Sequence, residues 1–272
     1  MPSPNMISPQ QLSRLIGTPD CPVLIDICID EDFAEDPRLI PTTFRHPFDR
    51  IGDLATALSG RKAVVICQKG KKLSQGAAAI LRCHGVAAEA LEGGNHAWRD
   101  ADLPLVPARS IPARAADGHT LWVTRHRPKI DRIACPWLIR RFIDPGARFL
   151  FVAPSEVELV AEKFDATPFD IEGVFWSHRG QMCSFDTMIS EFALQTAPLQ
   201  RLATIIRGAD TDRHDLAPQC AGLLAASLGL SRMFKDDLAQ LEAGMGFYDA
   251  FYRWCRDAVG EGHQWPSAGG AS

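Results

Sequence analysis

The segment from residue 63 to residue 85 constrains the possible fold of this chain more than any other segment. It reads AVVICQKGKKLSQGAAAILRCHG, in which a β-branched apolar run ends at Cys67 and a basic, glycine-containing stretch leads into an alanine-rich helical pattern. A buried strand that passes through a short loop into a helix is typical of a parallel α/β sheet. The segment therefore predicts a strand, a cysteine at its carboxyl end, and a helix that stops at Gly85.

The same alternation of strands and helices extends over residues 5–107. ISPQQLSRLI predicts a helix with Ser8 as its N-cap and Pro9 at its first position, and CPVLIDICI predicts an apolar strand interrupted by Asp26. DRIGDLATAL predicts a short helix, and AAEALEGG predicts a final strand and turn. Strands and helices at this spacing favour an α/β domain with a parallel sheet.

The length of 272 residues favours two domains. Residues 103–119 contain three prolines and lack periodicity, which predicts a linker over residues 108–119. Residues 120–260 predict a mostly helical α+β domain, in which SEVELVAEKF indicates a capping box between Ser155 and Glu158. Residues 261–272 predict a disordered tail.

Composition excludes several classes of function. The net charge of −4 argues against a nucleic-acid partner, and the chain has no apolar run long enough for a membrane span. Its start, MPSPNMISPQQL, lacks the basic and apolar regions of a signal peptide. The eight cysteines are scattered without a CxxC pair, which is typical of reduced thiols and predicts a cytoplasmic protein.

The loop after Cys67 carries the chemistry that the sequence indicates most clearly. A cysteine reacts as its thiolate, and loop N–H groups, a helix N-terminus and lysine side chains all stabilise negative charge. We therefore expect a catalytic Cys67 whose sulfur is exposed at the edge of the first sheet. The competing interpretation is a structural strand cysteine followed by solvated lysines. The predicted anion-binding residues are Gln68, Lys69, Gly70, Lys71, Lys72 and Leu73.

Residues 5–107 resemble the rhodanese family of sulfurtransferases. The resemblance rests on VLIDI, RLIPTTFRHPF, the cysteine loop with its helix, and LEGGNHAW followed by LP. It implies a rhodanese-like parallel sheet, a persulfide on Cys67, a supporting acidic position at Asp26, and no required cofactor. The implied partners are a small sulfur donor and a thiol acceptor.

Two departures from the rhodanese pattern keep other functions open. Cys28 replaces an arginine that usually follows the early aspartate. Lysine replaces the loop arginine, so the two parallel hydrogen bonds that a guanidinium can donate to an oxyanion are lost. A count from Cys67 to the GAA sequence at Gly76 also makes the loop one residue longer than in typical sulfurtransferases. A longer loop would suit an oxyanion reductase or a phosphatase. A non-catalytic module that senses redox state or an oxyanion is the third alternative.

The second region holds histidine and carboxylate residues near two predicted helix ends. FDIEGVFWSHRGQMCSFDTMI contains His178 and Asp186, and ADTDRHD contains Asp210 and His214. Imidazole and carboxylate groups bind divalent metals, so these four residues are the predicted ligands. Their spacing matches no standard zinc motif, and an ordinary structural histidine is the competing interpretation.

Residues 120–258 resemble the C-terminal domain of the chromate-resistance protein B family. The resemblance rests on RIACPWLIRRFIDPGARFLFV, PFD, HRGQMCSFDTMI, GADTD and FYDAFYRWCRDA. It implies that chromate or a related oxyanion is relevant to this protein. Other members carry a different N-terminal part, so the resemblance does not imply DNA binding here.

Overall fold

The first domain is built on a parallel sheet. A computed structural model describes residues 5–262, so the predicted tail lies outside the described residues from residue 263 onward. The strands of the first domain are β1 (Met6–Ile7), β2 (Val23–Asp26), β3 (Arg38–Leu39), β4 (Phe44–Arg45), β5 (Lys62–Ile66), β6 (Ala87–Leu91) and β7 (Val106–Pro107). Within the described residues a five-stranded sheet has the order β1-β6-β5-β2-β4, every neighbouring pair is parallel, and β3 pairs with β7 separately.

The helices of this domain follow the strands as the sequence predicts. Ser8 caps α1 through a reciprocal capping box with Gln11, and Pro9 is its first residue. The DRIGDLATAL segment forms a 3-10 helix, Phe48–Leu54, followed by turns, instead of an α-helix. The α-helices are α1 (Pro9–Leu15), α2 (Asp30–Glu35), α3 (Lys72–Cys83) and α4 (Gly94–Asp100).

Strand β5 contributes to two separate apolar cores because its side chains alternate between the faces of the sheet. Val64 and Ile66 belong to the core that continues into the second domain. Ala63, Val65 and Cys67 belong to the core that α3 covers on the other face. Cys67 directly follows the strand and continues this alternation, so its side chain points towards α3.

The second domain combines a small parallel sheet with helices. The sheet has the order β10-β8-β9, with β8 (Leu121–Arg125), β9 (Arg148–Val152) and β10 (Thr167–Pro168). The helices are α5 (Asp131–Phe142), α6 (Val157–Phe164), α7 (Ser184–Glu191), α8 (Ala197–Asp210), α9 (Cys220–Met233) and α10 (Asp237–Arg253). The elements confirm an α/β domain with a parallel sheet, followed by a mostly helical α+β domain. No helix within residues 5–262 has the length and hydrophobicity needed to cross a bilayer.

The predicted capping box at Ser155 is wrong. Residues Pro154–Glu156 form a 3-10 turn, and α6 begins only at Val157, with Glu156 in the N-cap position. The Ser155 hydroxyl bonds the Glu156 carboxylate at 3.2 Å. The early turn begins at Pro154, whose fixed φ suits a first helical position.

The two domains pack through one continuous apolar core. Leu12 and Ile66 of the first domain lie in the same cluster of buried side chains as Phe142 and Tyr252 of the second. The backbone amide of Thr42 donates to Phe142 O at 2.8 Å across this contact. Separation of the domains would therefore expose apolar surface on both.

Asp144 anchors the end of the predicted linker. Its carboxylate accepts hydrogen bonds from the Thr120 amide at 2.6 Å and the Thr120 hydroxyl at 2.9 Å, and lies 3.1 Å from His119 Nδ1 and 3.3 Å from Arg114 Nη1. Burial raises the pKa of Asp144, but these bonds and the Arg114 charge outweigh it and hold that pKa below its usual value.

Candidate functional site

Cys67 lies directly after β5, and residues 68–71 separate it from Lys72, the first residue of α3. The expectation of a longer loop counted to Gly76, but α3 begins at Lys72 and Gly76 is already inside the helix. The start of α3 does not test the comparison with typical sulfurtransferases, so the reductase or phosphatase alternative stays a prediction.

The expectation of an exposed sulfur is wrong. Cys67 is only 5% exposed, and its Sγ donates a hydrogen bond to Ser74 Oγ at 3.1 Å. The cause is strand alternation, which directs Cys67 to the face of the sheet that α3 covers. Ser74, in the first turn of that helix, contacts the sulfur directly, and no sequence motif had indicated this residue.

Two glycines fix the cysteine loop against the start of α4. Gly70 (φ +62°) and Gly94 (φ +60°) both adopt left-handed backbone angles. A side chain on Gly70 would overlap the backbone of Leu91 and Gly94, and one on Gly94 would overlap Cys67 O. The Asn95 amide also donates to Cys67 O at 3.1 Å. Glycine is therefore needed at both positions to let the two backbone segments approach.

The predicted anion-binding residues divide into two groups. Lys69, Lys71 and Lys72 are exposed, as a solvent-facing binding loop requires. Gln68 instead donates to Glu35 Oε2 at 2.9 Å, and Leu73 packs against the core of the first domain. The positive charge of the loop thus comes from the three lysines.

Asp26 supports the site from the end of β2. It is buried, accepts a hydrogen bond from the Cys28 amide at 2.8 Å, and accepts another from Asn95 Nδ2 at 3.0 Å. Burial, together with the nearby Asp26 charge, raises the pKa of Cys28, so this second thiol stays protonated near neutral pH. A pocket of about 30 Å³ lies beside the loop, and Cys28 and Gln68 line it while Cys67 does not.

The second domain brings one histidine against three carboxylates. His178 Nε2 lies 3.5 Å from Asp131 Oδ2, 3.5 Å from Asp170 Oδ1 and 3.3 Å from Asp210 Oδ2. We call these four residues the Asp–His cluster. Asp131, Asp170 and His178 offer ligand atoms within 4.8 Å of one another, so they are the residues that can hold a metal ion.

Of the four predicted metal ligands, only His178 and Asp210 lie in the Asp–His cluster. Asp186 caps α7 by accepting from the Cys183 amide at 3.0 Å, and it forms an ion pair with Arg207 at 2.8 Å. His214 lies 3.8 Å from the exposed Asp212 on a separate turn. The prediction that Asp186 and His214 join His178 in one metal site is therefore not supported by their positions.

The polar surroundings of the cluster hold its carboxylates in place. Ser184 donates from its amide to Asp131 at 2.6 Å and from its hydroxyl to Asp170 at 2.7 Å. Arg132 Nε lies 3.3 Å from Asp170. Hydrogen bonds to Asp131, Asp170 and Asp210 raise the pKa of His178, so the ring is an imidazolium that balances carboxylate charge here.

The sequence did not indicate Asp131 and Asp170 as metal ligands, because they belong to different elements that are distant in the chain. Asp131 is the first residue of α5, and Asp170 follows β10. Strands β8 and β10 are parallel, so the segments after their carboxyl ends meet at one edge of the sheet. An acidic residue after each neighbouring strand was the signal that could have identified this site.

Comparisons with known proteins match the second region of the chain to one family model. Residues 122–255 match the family model described as ChrB, C-terminal domain. Protein ChrB of Cupriavidus metallidurans is 30% identical over 210 residues, which is 72% of this chain and 63% of that relative's length.

Solved structures match about a third of this chain. The rhodanese-like domain protein from Staphylococcus aureus is 27% identical, and the match covers 35% of this chain and 90% of that chain with a TM-score of 0.30. The thiosulfate sulfurtransferase from Pseudomonas aeruginosa is 24% identical, with coverages of 38% and 19% and a TM-score of 0.32. The second domain is thus similar to the C-terminal domain of ChrB, and the chain spans 63% of the length of the curated relative that it matches.

Proposed function

We propose that this protein is a sulfurtransferase linked to chromate resistance, in which Cys67 carries a persulfide. The main support for this proposal is the position of Cys67 between β5 and α3. The loop that follows it contains Gly70 in a left-handed conformation and carries three exposed lysines. The lysines and the start of α3 favour a bound anion at the sulfur. This arrangement supports attack by a thiolate on an anionic sulfur donor.

The proposed reaction has two balanced steps and needs no redox cofactor. The Cys67 thiolate attacks the outer sulfur of thiosulfate, the sulfur–sulfur bond breaks, and sulfite leaves with the electron pair. An acceptor thiolate or cyanide then attacks the terminal sulfur of the persulfide, which regenerates the Cys67 thiolate. Covalent catalysis of this kind divides one transfer into two easier displacements.

Burial of Cys67 sets a condition on this function. Since the sulfur is only 5% exposed, a donor reaches it after the loop of residues 68–71 moves outward. Backbone bonds from Asn95 to Cys67 O and from His96 to Gln68 O, each 3.1 Å, hold the loop in the closed position. Loop opening is therefore a step of the proposed cycle.

The link to chromate rests on the second domain. Its family match and the relative called Protein ChrB support a role in which this domain senses or processes chromate or a related oxyanion. All eight cysteines are free thiols, which fits a reducing cytoplasm.

Mass spectrometry of the full-length protein after thiosulfate treatment tests the proposal. We expect the mass of one added sulfur atom, located on Cys67 and lost in Cys67→Ser. The matched control is Cys83→Ser, which removes an exposed thiol of α3 and should leave the modification in place.

An unmodified Cys67 would overturn the proposal. Turnover of arsenate or an aryl phosphate, without turnover of thiosulfate and cyanide, would instead identify an oxyanion reductase or a phosphatase. Chromate resistance that persists in Cys67→Ser cells, with no turnover of any donor, would identify a non-catalytic sensor.

A further inference from the structure

The Asp–His cluster lies where a ligand can reach it from solvent. Asp131 is buried, with a side chain only 1% exposed, whereas the His178 side chain is 41% exposed. Asp170 and His178 line an open pocket of about 460 Å³, together with Arg125 and Ser177. The cluster therefore forms part of the floor of a pocket and is not enclosed in the core.

We propose that Asp131, Asp170 and His178 bind one divalent metal ion at the floor of this pocket, with Asp210 as a further oxygen donor. Nitrogen and oxygen ligands about 2.0–2.2 Å from a common ion lie about 3.0–3.5 Å from one another when the angles between them are octahedral or tetrahedral. The three distances from His178 Nε2 to the carboxylates are 3.3, 3.5 and 3.5 Å. Each of these carboxylate oxygens thus already lies at a ligand-to-ligand distance from the His178 nitrogen. Asp131, Asp170 and His178 also offer ligand atoms within 4.8 Å of one another, a group that does not include Asp210.

An unpaired buried atom supports a cation at this place. Asp131 Oδ1 has no hydrogen-bond partner among the described residues, although the carboxylate is buried against His178. A buried acceptor without a partner destabilises a fold, and the effect is larger when the acceptor carries charge. A metal ion that binds Asp131 would supply the missing contact.

The surroundings match those of an oriented ligand set. Ser184 bonds two of the carboxylates, and Arg132 and Arg125 lie 3.3 and 3.5 Å from Asp170 Oδ2. Such outer contacts fix carboxylate orientation around metals. Metal binding at His178 would displace the proton from its ring. The two arginines then balance two of the three carboxylate charges, so one negative charge remains for the cation.

The donor set indicates the class of metal. Carboxylate oxygens favour Mg²⁺ and Mn²⁺, whereas imidazole favours Fe²⁺, Zn²⁺ and other first-row ions. Three carboxylates with one imidazole therefore suit Mn²⁺ or Fe²⁺ best. The pocket side of the ion would remain open to water or to an oxyanion, and Arg125 lies beside that side.

Titration of chelator-treated, full-length protein with Mn²⁺ tests this site, with free Mn²⁺ measured by electron paramagnetic resonance. We expect one Mn²⁺ per chain, and binding weakened about tenfold or more in His178→Ala and Asp131→Asn. The matched control is His214→Ala, which removes another partly exposed histidine outside the cluster and should leave affinity unchanged.

Circular dichroism separates lost ligands from lost folding, and Co²⁺ provides a second readout. The visible spectrum of the Co²⁺-loaded protein should change in His178→Ala, because a nitrogen ligand is lost, and stay the same in His214→Ala. Absence of Mn²⁺ binding to the wild-type chain would overturn the site, as would equal affinity in folded His178→Ala. The cluster would then be an ion-pair network with His178 as its cation.

Discussion

Asn95 donates a hydrogen bond from its side chain to Asp26 Oδ2 at 3.0 Å, and its backbone amide donates to Cys67 O at 3.1 Å. One residue at the start of α4 thus connects the buried carboxylate at the end of β2 with the loop after β5. The position of Cys67 therefore depends on a helix that begins well after it in the chain.

Replacement of Asn95 by alanine should destabilise the first domain. The Asn95→Ala variant leaves Asp26 Oδ2 buried without this donor, so we expect the free energy of unfolding to fall by about 1–3 kcal/mol. Urea unfolding followed by fluorescence measures the change. Gln68→Ala removes an exposed bond to Glu35 from the same loop and should cost less than about 0.5 kcal/mol. Equal effects of both substitutions would contradict this interpretation.

Replacement of Ser74 by alanine should slow persulfide formation without unfolding the protein. Cys67 Sγ donates to the Ser74 hydroxyl at 3.1 Å, and after the thiol loses its proton the same hydroxyl is placed to donate to the thiolate and stabilise it. Loss of one such bond should lower the rate by about three- to tenfold. Quenched-flow mass spectrometry gives the rate. A rate equal to that of the wild type would show that Ser74 only fills space beneath the sulfur.

Removal of loop lysines should weaken donor binding more than turnover. In Lys69→Ala and Lys72→Ala we expect KM for thiosulfate to rise about two- to fivefold each, because exposed charges contribute modestly. The difference from wild type should shrink at high salt. Lys62→Ala, at the opposite end of β5, is the matched control with unchanged KM. A fall in kcat with constant KM would argue against this role.

Substitution of Gly17 should disturb the contact between the domains. Gly17 has φ +79°, and a side chain there would overlap Phe142 and Tyr252 of the second domain. We expect Gly17→Ala to lose about 2–4 kcal/mol of stability, from backbone strain and overpacking together. Gly60→Ala isolates the strain, because Gly60 has φ +72° and open space around it. Calorimetry gives the loss of stability in both variants. A loss in Gly17→Ala no larger than in Gly60→Ala would mean that the contact between the domains tolerates the added side chain.

Asp144 should make the free energy of unfolding decrease as the pH is lowered in the acid range. Its folded pKa lies below the ordinary value of 3.8, so its stabilisation is present above about pH 4 and is lost as the pH falls through the folded pKa. Asp144→Asn should lower stability at pH 7 by about 1–3 kcal/mol and flatten this acid dependence. Asp20→Asn, an exposed carboxylate, should keep the wild-type dependence. Parallel curves for wild type and Asp144→Asn would contradict the assignment.

Local patterns explain how much of the first domain was predictable. The Ser8–Pro9 start of α1, the apolar run of β5 and the glycine after α3 are all encoded within a few residues. The burial of Cys67 was not predictable in this way, because it depends on how α3 folds back across the sheet. Neighbours in space, not in sequence, decide whether a strand-end cysteine is exposed.

The Asp–His cluster shows the same limit in the second domain. His178 and Asp210 were predicted from residue type, yet Asp131 and Asp170 complete the cluster from the start of α5 and the end of β10. Asp186 was misassigned because an acidic residue at the third position of a helix can cap that helix instead of binding a metal. Strand order, which places these segments together, is a property of the whole fold.

The apolar contact around Phe142 and Tyr252 restricts how this gene fusion can evolve. Neither domain can be exchanged independently, because recombination with an unrelated domain would leave the apolar surface of the other domain without a complementary partner. Substitutions at Leu12 or Ile66 should therefore be accompanied by compensating changes in the other half among descendants of this fusion.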